Sequence, residues 1–404
     1  MNQHAALAAR LAPLARPFRL IVTGGGTGGH TYPALTAVRE AQARLAHLGK
    51  SLDVLWVGTE RGLEARVAPA EGIAFRTVPA GKLRRSSNPL AMLNKENLKD
   101  MGRVPQGAHQ ARKIVSEWQP DVVLSTGGYV AMPVGLAAKA TRTPLVVHEQ
   151  TVRLGLTNRV LARVATVVAL SSENSLKLLP DTAKAVVTGN PVRPTVLAGD
   201  ASKAVPALGM HGWVPGLPTV YITGGAQGSV QINTMVREIL PWLLTAANVI
   251  HQCGSTSLEE SRAYAATLPP HLAGRYWVSD FVGQELPDVL ALADVVIARS
   301  GAGTIAELTA LGKASVLIPL MSSAGGEQAH NALHLEEAGA AVALTGEKAT
   351  GARLTDALRP LLEEPALRTH MAAQARSLGR PDAAAHLVDV LLGAGLDHLE
   401  KNPA

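Results

Sequence analysis

The chain has 404 residues, of which 47% are hydrophobic, 17% charged and 3% aromatic. This apolar content is too high for a disordered chain, and at roughly 150 residues per domain the length predicts two domains. The single cysteine, Cys253, excludes a disulfide scaffold and a cysteine-ligated zinc site. Because no apolar run reaches the roughly 18 residues of a membrane-spanning helix, we expect a soluble cytoplasmic protein.

The net charge of +6 is unevenly distributed. Residues 1–198 contain 25 Lys and Arg against 12 Asp and Glu, which is +13, whereas residues 199–404 contain 13 against 20, which is −7. Such an asymmetry indicates that the first half binds an anionic partner. It leaves nucleic acid, anionic lipid and a phosphorylated substrate open, and a solvated basic surface is the simpler explanation of the counts alone.

In chain order, residues 1–17 are interrupted by Arg10 and Arg16 and predict a loose N-terminal extension without a signal peptide. Short apolar runs then alternate with helical segments. The runs of the first half are FRLIVTGG, LDVLWVG, FRTVPA, DVVLSTGG, PLVVHEQ, TVVALS and KAVVTGN. Continuous apolar strands separated by helices predict a parallel sheet covered on both faces.

The pattern stops between residues 191 and 218, a stretch rich in Pro, Gly and Ala. It then resumes with PTVYITGG, ANVIHQCG, YWVSDFV, ADVVIARSG, ASVLIPL and AAVALTG. We therefore predict two α/β domains, residues 18–198 and 219–380, joined by a linker at 199–218, with a helix and tail at 381–404.

Glycine-rich turns follow several of these strands, where open α/β sheets bind ligands. The first turn, GGGTGGH, places Gly24, Gly26 and Gly29 as G-x-G-x-x-G, which predicts backbone N–H groups facing an anion. A dinucleotide site also needs an acid at the end of the second strand, and none stands there. His30 begins the helix after this turn and is a candidate general base.

A second polar cluster contains Tyr129, His148, Glu149 and Gln150, which follow strands predicted to be neighbours. We expect these residues to line one cleft and to serve as acid, base or acceptor-binding groups. A polar pair, His148 and Glu149, that simply holds a loop is an equally weighted alternative.

Two further turns lie in the second half. ITGGAQGS leads into a helix and suits a diphosphate, although such glycines also permit close helix packing. In RSGAGTIAE, Arg299 ends a strand and Glu307 lies one turn into the helix, where a carboxylate can bind ribose hydroxyls or be an ordinary helix acid. Gln328 and Asn331 offer amides to a sugar or base.

No Asp-x-Asp pair or Walker lysine appears, which disfavours metal-dependent sugar transfer and P-loop chemistry.

A basic segment covers residues 75–113. Asn88 and Pro89 predict a helix start, with apolar residues on one face and cations beside them: Leu90, Leu93, Leu98, Met101, Lys82, Arg84, Arg85, Lys95 and Lys99. This pattern favours a patch that binds anionic lipid without insertion. An ordinary helix with its apolar face on the core is the alternative.

Together these motifs identify a family. GGGTGGHTYPAL, STGGYVAMPV, VVHEQTVRLGLTNR, VVTGNPVR, ITGGAQG, SDFV, RSGAGTIAELTALGKASVLIPL and EQAHNA, in this order, closely resemble the MurG family of bacterial peptidoglycan glycosyltransferases, glycosyltransferase family 28. The resemblance extends from about residue 18 to about residue 392. It leaves out the N-terminal extension and residues 201–215.

The resemblance implies two Rossmann-like, doubly wound parallel-sheet domains facing across a cleft (GT-B), with the C-terminal helix returning to the first. It implies transfer of N-acetylglucosamine from UDP-N-acetylglucosamine to undecaprenyl-linked lipid I, giving lipid II for cell-wall synthesis, cell shape and division. The reaction would invert the anomeric centre without metal or cofactor. It would take place peripherally at the cytoplasmic face of the plasma membrane, without nucleic acid, and other cell-wall synthesis proteins are conceivable partners.

By position, the resemblance implies that His30 is the candidate base, with Glu149, His148 and Tyr129 on the acceptor side. Phe281 would cover the uracil, the Val282 backbone would hydrogen-bond it, and Glu307 would hold the ribose. The remaining donor-binding residues implied are Thr27, Gly28, Gly29, Thr151, Arg193, Ala226, Gln227, Arg299, Ala302, Gly303, Thr304 and Gln328.

The chain departs from the family pattern at three of its positions. Thr151 replaces a usual asparagine, Ala226 replaces a serine that often contacts phosphate, although Ser229 is nearby, and Glu327 replaces a second glutamine found in some members.

Four alternatives remain open on the residues alone. These are a GT-B enzyme with another acceptor, a non-hydrolysing UDP-N-acetylglucosamine epimerase, a nucleotide-sugar-binding module without catalysis and, least favoured, a dehydrogenase. An acceptor screen, epimer formation, binding without turnover and nicotinamide binding would distinguish them.

Overall fold

The computed structural model describes residues 3–81 and 95–402. The chain divides into two compact units: Met1–Pro191 together with Asp382–Ala404, and Val192–Pro381. Each unit is built on its own parallel sheet, of seven and six strands in the described ranges. All thirteen predicted apolar runs form strands, which confirms the predicted fold class.

The strands of the first unit have the spatial order β3-β2-β1-β4-β5-β6-β7, and every pairing is parallel. Their bounds are β1 Phe18–Thr23, β2 Leu52–Gly58, β3 Ala74–Thr77, β4 Val122–Ser125, β5 Leu145–Glu149, β6 Val167–Leu170 and β7 Ala185–Val187. The helices are α1 Gln3–Leu11, α2 Gly28–His47, α3 Glu64–Ala70, α4 Lys95–Trp118, α5 Ala131–Ala140, α6 Leu156–Leu161 and, after the second unit, α17 Ala383–Lys401.

Side chains of β1 alternate between two helix layers, as a strand buried on both faces requires. Leu20 and Val22 lie in one apolar cluster with residues of α2 and α17. Ile21 lies in the cluster on the opposite face, with residues of α4 and α5. Each fully buried Leu, Val or Ile contributes about 1.5–3 kcal/mol through removal of apolar surface from water.

The N-terminal extension is packed, which corrects the prediction of a loose segment. Leu7 and Leu11 of α1 are buried in the cluster that contains α17. Arg10 donates to Asp397 at 2.6 Å and to Glu400 at 2.8 Å. Arg16 donates to the buried Asp121. The prediction failed because Arg10 and Arg16, which interrupt the apolar run, form specific ion pairs with residues far away in sequence.

The second unit has the strand order β10-β9-β8-β11-β12-β13, again with parallel pairings. Its strands are β8 Thr219–Thr223, β9 Asn248–Gln252, β10 Tyr276–Ser279, β11 Val295–Ala298, β12 Ala314–Leu317 and β13 Val342–Ala343. Its helices are α7 Pro194–Leu197, α8 Ala201–Leu208, α9 Val230–Ala246, α10 Leu258–Ala265, α11 Pro270–Ala273, α12 Leu286–Leu292, α13 Ala302–Leu311, α14 Glu327–Glu337, α15 Gly351–Glu363 and α16 Pro365–Leu378.

The same alternation organises this second core. Val220 and Ile222 of β8 pack with residues of α9 and α15. Tyr221 packs on the other face with residues of α8, α12 and α13. Cys253, directly after β9, is buried.

The predicted linker at 199–218 is instead part of the second unit, and the division falls directly after Pro191. Asp200 caps α8 by accepting the Ser202 N–H at 3.0 Å, and Gly209 ends the helix with φ of +63°. Both are ordinary helix-boundary signals. The Pro-, Gly- and Ala-rich composition concealed them.

The predicted lipid patch, Lys82, Arg84, Arg85, Leu90 and Leu93, lies outside the described residues. Within residues 3–81 and 95–402, no helix is both long and apolar enough to cross a membrane.

Candidate active site

The first glycine loop, residues 24–27, connects β1 to α2. Gly24 and Gly26 have φ of +146° and +85°, which L side chains rarely adopt. A Cβ built on Gly25 would lie 2.1 Å from the carboxyl carbon of Glu64, and one on Gly24 would lie 1.9 Å from Oγ1 of Thr126. These glycines therefore make room for side chains of the protein itself.

Glu64 is the anion that this loop binds. It is fully buried, and its Oε2 accepts the Gly26 N–H at 2.8 Å. Its Oε1 accepts the N–H and the hydroxyl of Thr59 at 3.0 and 2.9 Å. The predicted anion at the backbone N–H groups of this loop is, for Gly26, a carboxylate of the protein itself.

Sequence reasoning missed Glu64, although a signal existed. Gly25, Gly58 and Gly62 surround its side chain, and a Cβ at any of them would come within 2.5 Å of it. Three glycines at the ends of two neighbouring strands and before α3 mark a space that one larger side chain fills.

His30 lies in the first turn of α2 and is partly exposed. Its backbone carbonyl accepts the Thr126 hydroxyl at 3.0 Å, which ties it to the loop after β4. Its ring Nδ1 lies 3.1 Å from Oε1 of Gln150, after β5. Since β1, β4 and β5 are neighbours in the sheet, the structure brings together the glycine loop and the polar residues after β5.

His148 is fully buried inside this arrangement. Its Nε2 lies 3.0 Å from the carbonyl oxygen of Gly189, and its Nδ1 lies 3.1 Å from Nε2 of Gln150. Burial lowers the pKa of His148 to about 4; the Gly189 carbonyl opposes this shift, and the charge of His30 adds to it. His148 is therefore neutral at physiological pH and has no face open to a substrate.

Glu149 is also buried, with 3% of its surface exposed. Its Oε1 accepts the Thr151 N–H at 3.1 Å, and its Oε2 accepts the Gly155 N–H and the Asn158 amide, both at 2.9 Å. The carboxylate holds residues 151–158 in place. The assignment of His148 and Glu149 as acid or base is therefore corrected in favour of the structural alternative, because both are saturated by internal partners.

The other residues predicted to bind the acceptor or the donor sugar lie at the surface of the same loops. Tyr129 is partly exposed, and its ring edge lies over Gly26, 3.5 Å from an ideal Cβ there. Thr27 precedes α2, and Gly28 and Gly29 form its first turn. The hydroxyl of Thr151 points back to Glu149 Oε1 at 2.9 Å.

In the second unit, Arg299 ties three loops together. Its guanidinium donates to the Ser229 hydroxyl at 2.6 Å, to Gln231 Oε1 at 3.2 Å and to the Pro319 carbonyl at 2.9 Å. Ser229 also caps α9 by accepting the Ile232 N–H. Burial lowers the pKa of Arg299. Arg299 and Ser229 thus shape the loop after β8, on which Ala226 and Gln227 are exposed.

The space beside the glycines of the loop after β11 is empty, whereas protein side chains fill the space beside Gly24 and Gly25 of the first glycine loop. A Cβ built on Gly301 or Gly303 would meet no atom within 4 Å. Ala302, Gly303 and Thr304 form the first turn of the ten-residue helix α13, whose N–H groups have no partner within the helix. Behind this turn the buried Ser300 donates to the Gln328 carbonyl at 2.7 Å.

Arg193 and Glu307, both predicted as donor-binding, form an ion pair. Nε and Nη2 of Arg193 reach the same carboxylate oxygen, Oε1, at 3.0 and 2.8 Å. Burial raises the pKa of Glu307, and the Arg193 guanidinium opposes that shift. Arg193 thus binds one of the two carboxylate oxygens of Glu307 with two of its nitrogens.

Val282 and Gln328 are both engaged by neighbours. The Val282 N–H donates to Oε1 of Gln252 at 2.9 Å, so a ligand can use that N–H only by displacing Gln252. Gln252 also donates to the Gly225 carbonyl at 2.9 Å and was missed by sequence reasoning. Gln328 Oε1 accepts the Leu320 N–H at 2.9 Å. Phe281 beside them is 54% exposed.

Comparison with known proteins decides the family. Residues 20–170 match the family model described as Glycosyltransferase family 28 N-terminal domain, and residues 219–387 match the Glycosyltransferase family 28 C-terminal domain. The chain belongs to glycosyltransferase family 28. This confirms the resemblance drawn from the ordered motifs.

A relative from Listeria monocytogenes serotype 4b has 36% identity over 375 residues, covering 93% of this chain and 99% of that protein. It is named UDP-N-acetylglucosamine--N-acetylmuramyl-(pentapeptide) pyrophosphoryl-undecaprenol N-acetylglucosamine transferase. The crystal structure of Acinetobacter baumannii MurG has 27% identity and a TM-score of 0.73, covering 93% of this chain and 99% of that one.

The family 28 architecture is shared with enzymes of other reactions. The Neisseria meningitidis UDP-GlcNAc 2-epimerase, solved with UDP-GlcNAc, has a TM-score of 0.62 at 14% identity and covers 95% of this chain and 100% of that one. At this identity the likeness concerns the fold alone, so the epimerase alternative gains no support in chemistry.

Proposed function

We propose that this chain transfers N-acetylglucosamine from UDP-N-acetylglucosamine to lipid I and so forms lipid II. The observation that carries the proposal is the 36% identity to the Listeria transferase over 93% of this chain and 99% of that one. The two matched family models, over residues 20–170 and 219–387, include the first glycine loop and the loops after β5, β8, β11 and β12.

For the donor, we place the diphosphate at the first turn of α13. Ala302, Gly303 and Thr304 offer helix N-terminal N–H groups, and the space in front of Gly301 and Gly303 is open. A helix N-terminus carries a partial positive charge that favours an anion. This placement accounts for the absence of side chains at residues 301 and 303.

The nucleoside would lie beside this turn. Glu307, with one oxygen held by Arg193, directs the other to the ribose hydroxyls. Phe281 is exposed enough to stack on uracil, and the Val282 N–H would hydrogen-bond the base once the base displaces Gln252. Gln227 and Gln328 would contact the diphosphate and sugar from neighbouring loops.

In the chemical step, the C4 hydroxyl oxygen of the acceptor sugar attacks C1 of N-acetylglucosamine from the face opposite UDP. The new C1–O bond forms as the bond from C1 to the β-phosphate oxygen breaks, and UDP leaves with the electron pair. His30 takes the hydroxyl proton. Attack opposite the leaving group inverts the anomeric centre from α to β.

We also propose that the step needs no metal ion or cofactor. The negative charge that develops on the leaving diphosphate would be stabilised by N–H groups at the N-termini of α13 and α9, in place of a divalent cation.

The test is release of UDP from UDP-N-acetylglucosamine, with and without a short-chain lipid I analogue and with EDTA in both arms. Acceptor-dependent release that persists in EDTA supports the transferase and its metal independence. Dependence on added Mg²⁺ would refute the metal-free step. Tight UDP binding without acceptor-dependent release would refute the transferase, and conversion of the donor to its C2 epimer would establish the epimerase instead.

We further propose that the enzyme acts peripherally at the cytoplasmic membrane face, because its acceptor is a membrane lipid and Lys82, Arg84 and Arg85 lie together in sequence. Replacing these three by Ser should release the protein from vesicles containing anionic lipid in sedimentation assays, with UDP binding unchanged. Equal sedimentation of both proteins would contradict this location of the patch.

A further inference from the structure

A histidine base needs a ring nitrogen that carries a lone pair and faces the substrate, and the neutral ring has only one such nitrogen. The hydrogen bonds around His30 determine which nitrogen it is. The ring Nδ1 lies 3.1 Å from Oε1 of Gln150. An amide oxygen only accepts hydrogen bonds, so this contact requires a proton on Nδ1.

The direction of the Gln150 amide is itself determined by its surroundings. Its nitrogen Nε2 lies 2.9 Å from the backbone oxygen of His148. A carbonyl oxygen cannot donate, so the NH₂ group must face it, and Oε1 must face His30. Gln150 is 4% exposed, which leaves the amide little access to bulk water as an alternative partner.

The ring of His148 reinforces the same direction. Its Nε2 lies 3.0 Å from the Gly189 carbonyl oxygen and therefore carries the proton. Its Nδ1 is then a lone-pair acceptor, and Nε2 of Gln150 lies 3.1 Å away to donate to it. Because burial keeps this ring neutral, the contacts from Gly189 to His30 allow one consistent assignment of protons.

We propose that Gln150 and His148 are positioning residues that hold His30 as its Nδ1–H tautomer, so that Nε2 takes the proton of the acceptor hydroxyl. Gln150 Oε1 then continues to accept from Nδ1 when the ring becomes an imidazolium. The role of Nε2 rests on the proposed transferase function, whereas the tautomer itself is a property of the free protein.

The tautomer is tested by long-range ¹H–¹⁵N correlation on the full chain labelled with ¹⁵N-histidine, with His30 assigned from the missing signals of His30→Gln. We expect Nδ1 to have the shift of a protonated nitrogen and Nε2 that of a bare one. In Gln150→Met, the His30 signals should move toward the Nε2–H form. A wild-type His30 protonated on Nε2 alone would overturn the proposal, whether or not the chain is a transferase.

The positioning role is tested by kinetics of Gln150→Met and Gln150→Glu. Met keeps the approximate shape of Gln150 but offers no oxygen to the Nδ1–H group of His30. We therefore expect kcat to fall at least about tenfold. The upper limit is the roughly 10⁴-fold loss that a fully reversed histidine tautomer causes. The KM for UDP-N-acetylglucosamine should change much less than kcat, because the proposed diphosphate, ribose and uracil contacts belong to the second unit.

Gln150→Glu is the matched control. It keeps an oxygen opposite Nδ1 and loses the donor toward His148, so it should lower the urea midpoint as Gln150→Met does yet retain most of kcat. His148→Phe should lower kcat less than Gln150→Met, because the His148 backbone oxygen still orients the amide. If kcat follows stability in all three variants, Gln150 is merely structural and the proposal fails.

Discussion

The first glycine loop and the loop after β11 look alike in sequence but are filled differently. In the first, Gly25 borders the buried Glu64 carboxylate, and a Cβ there would lie 2.1 Å from it. In the second, a Cβ at Gly303 would meet nothing within 4 Å. Both loops follow a strand and begin a helix. Glycine therefore makes room for an internal carboxylate in the first unit, and we propose that it makes room for the donor diphosphate in the second.

The difference teaches how a glycine loop should be interpreted. A motif such as G-x-G-x-x-G describes backbone freedom and the absence of side chains, and both are compatible with a carboxylate from the protein itself. Here Glu64 accepts the N–H groups of Gly26 and Thr59, so these amides already have partners within the protein.

Substitution of Gly25 by Ala should have the largest effect. The new methyl would overlap the Glu64 carboxylate, which cannot move without leaving buried N–H groups unpaired, so unfolding free energy should fall by about 3 kcal/mol. Urea denaturation measures it. In a Glu64→Ala background the same Gly25→Ala change should cost under about 0.5 kcal/mol, because the overlap is gone. Equal costs in both backgrounds would show that Glu64 does not fill the loop.

Acidification should weaken the first unit next most strongly. The His148 pKa is 6.5 in the unfolded chain and about 4 in the folded one, so the unfolded state binds a proton first as pH falls. The stability that the neutral His148 ring contributes is fully present above its pKa in the unfolded chain. It is lost progressively as the pH falls from that value to the pKa in the folded chain. From about pH 7 to about pH 5 the loss should be about 2 kcal/mol.

The control for this titration is His148→Phe, which removes the ionisable ring and should flatten that part of the urea-midpoint profile. Among the described residues His251 is also buried, and burial lowers its pKa to about 3, so its share of the pH dependence should persist in His148→Phe. An unchanged profile in His148→Phe would contradict the burial argument.

Gly303→Ala is the counterpart of Gly25→Ala in the open loop. The methyl meets no protein atom, and alanine favours a helix over glycine, so stability should be kept or increased. UDP affinity should fall about tenfold, or about 1.4 kcal/mol, because the methyl occupies the proposed diphosphate space. Calorimetric titration with UDP measures it. Unchanged affinity would place the diphosphate elsewhere.

The smallest expected effect is that of Phe281→Ala. The ring is 54% exposed, so stability should hardly change, whereas loss of stacking on uracil should weaken UDP binding by about 1 kcal/mol. Phe281→Tyr keeps the ring and should bind UDP as the wild type does. Equal UDP affinities of Phe281→Ala and Phe281→Tyr would show that the ring does not stack on the base.

Much of the fold was predictable from residue patterns alone. The buried strands consist of continuous Val, Leu and Ile, and this pattern is local, so all thirteen were recognised. Boundaries that depend on distant partners were not. The Arg10 contacts to Asp397 and Glu400 join positions at opposite ends of the chain, and no local pattern shows them. The cap residues of α8 were visible, but a linker-like composition concealed them.

For the candidate site, the sequence by itself determined which residues end neighbouring strands, because parallel strands deliver their following loops to one edge of a sheet. That placed Tyr129 and Gln150 in one region. Glu307 was predicted from its place one turn into the helix after β11, and Arg193 entered through the family resemblance. Only the tertiary structure decided what each polar group bonds to. Burial is a collective property, and it separates Glu149 and His148, which are buried among internal partners, from Glu307, whose side chain is 20% exposed. Hydrogen-bond direction likewise depends on three-dimensional contacts: the proton on Nε2 of His148 follows from the carbonyl of Gly189, which is forty-one positions away in sequence.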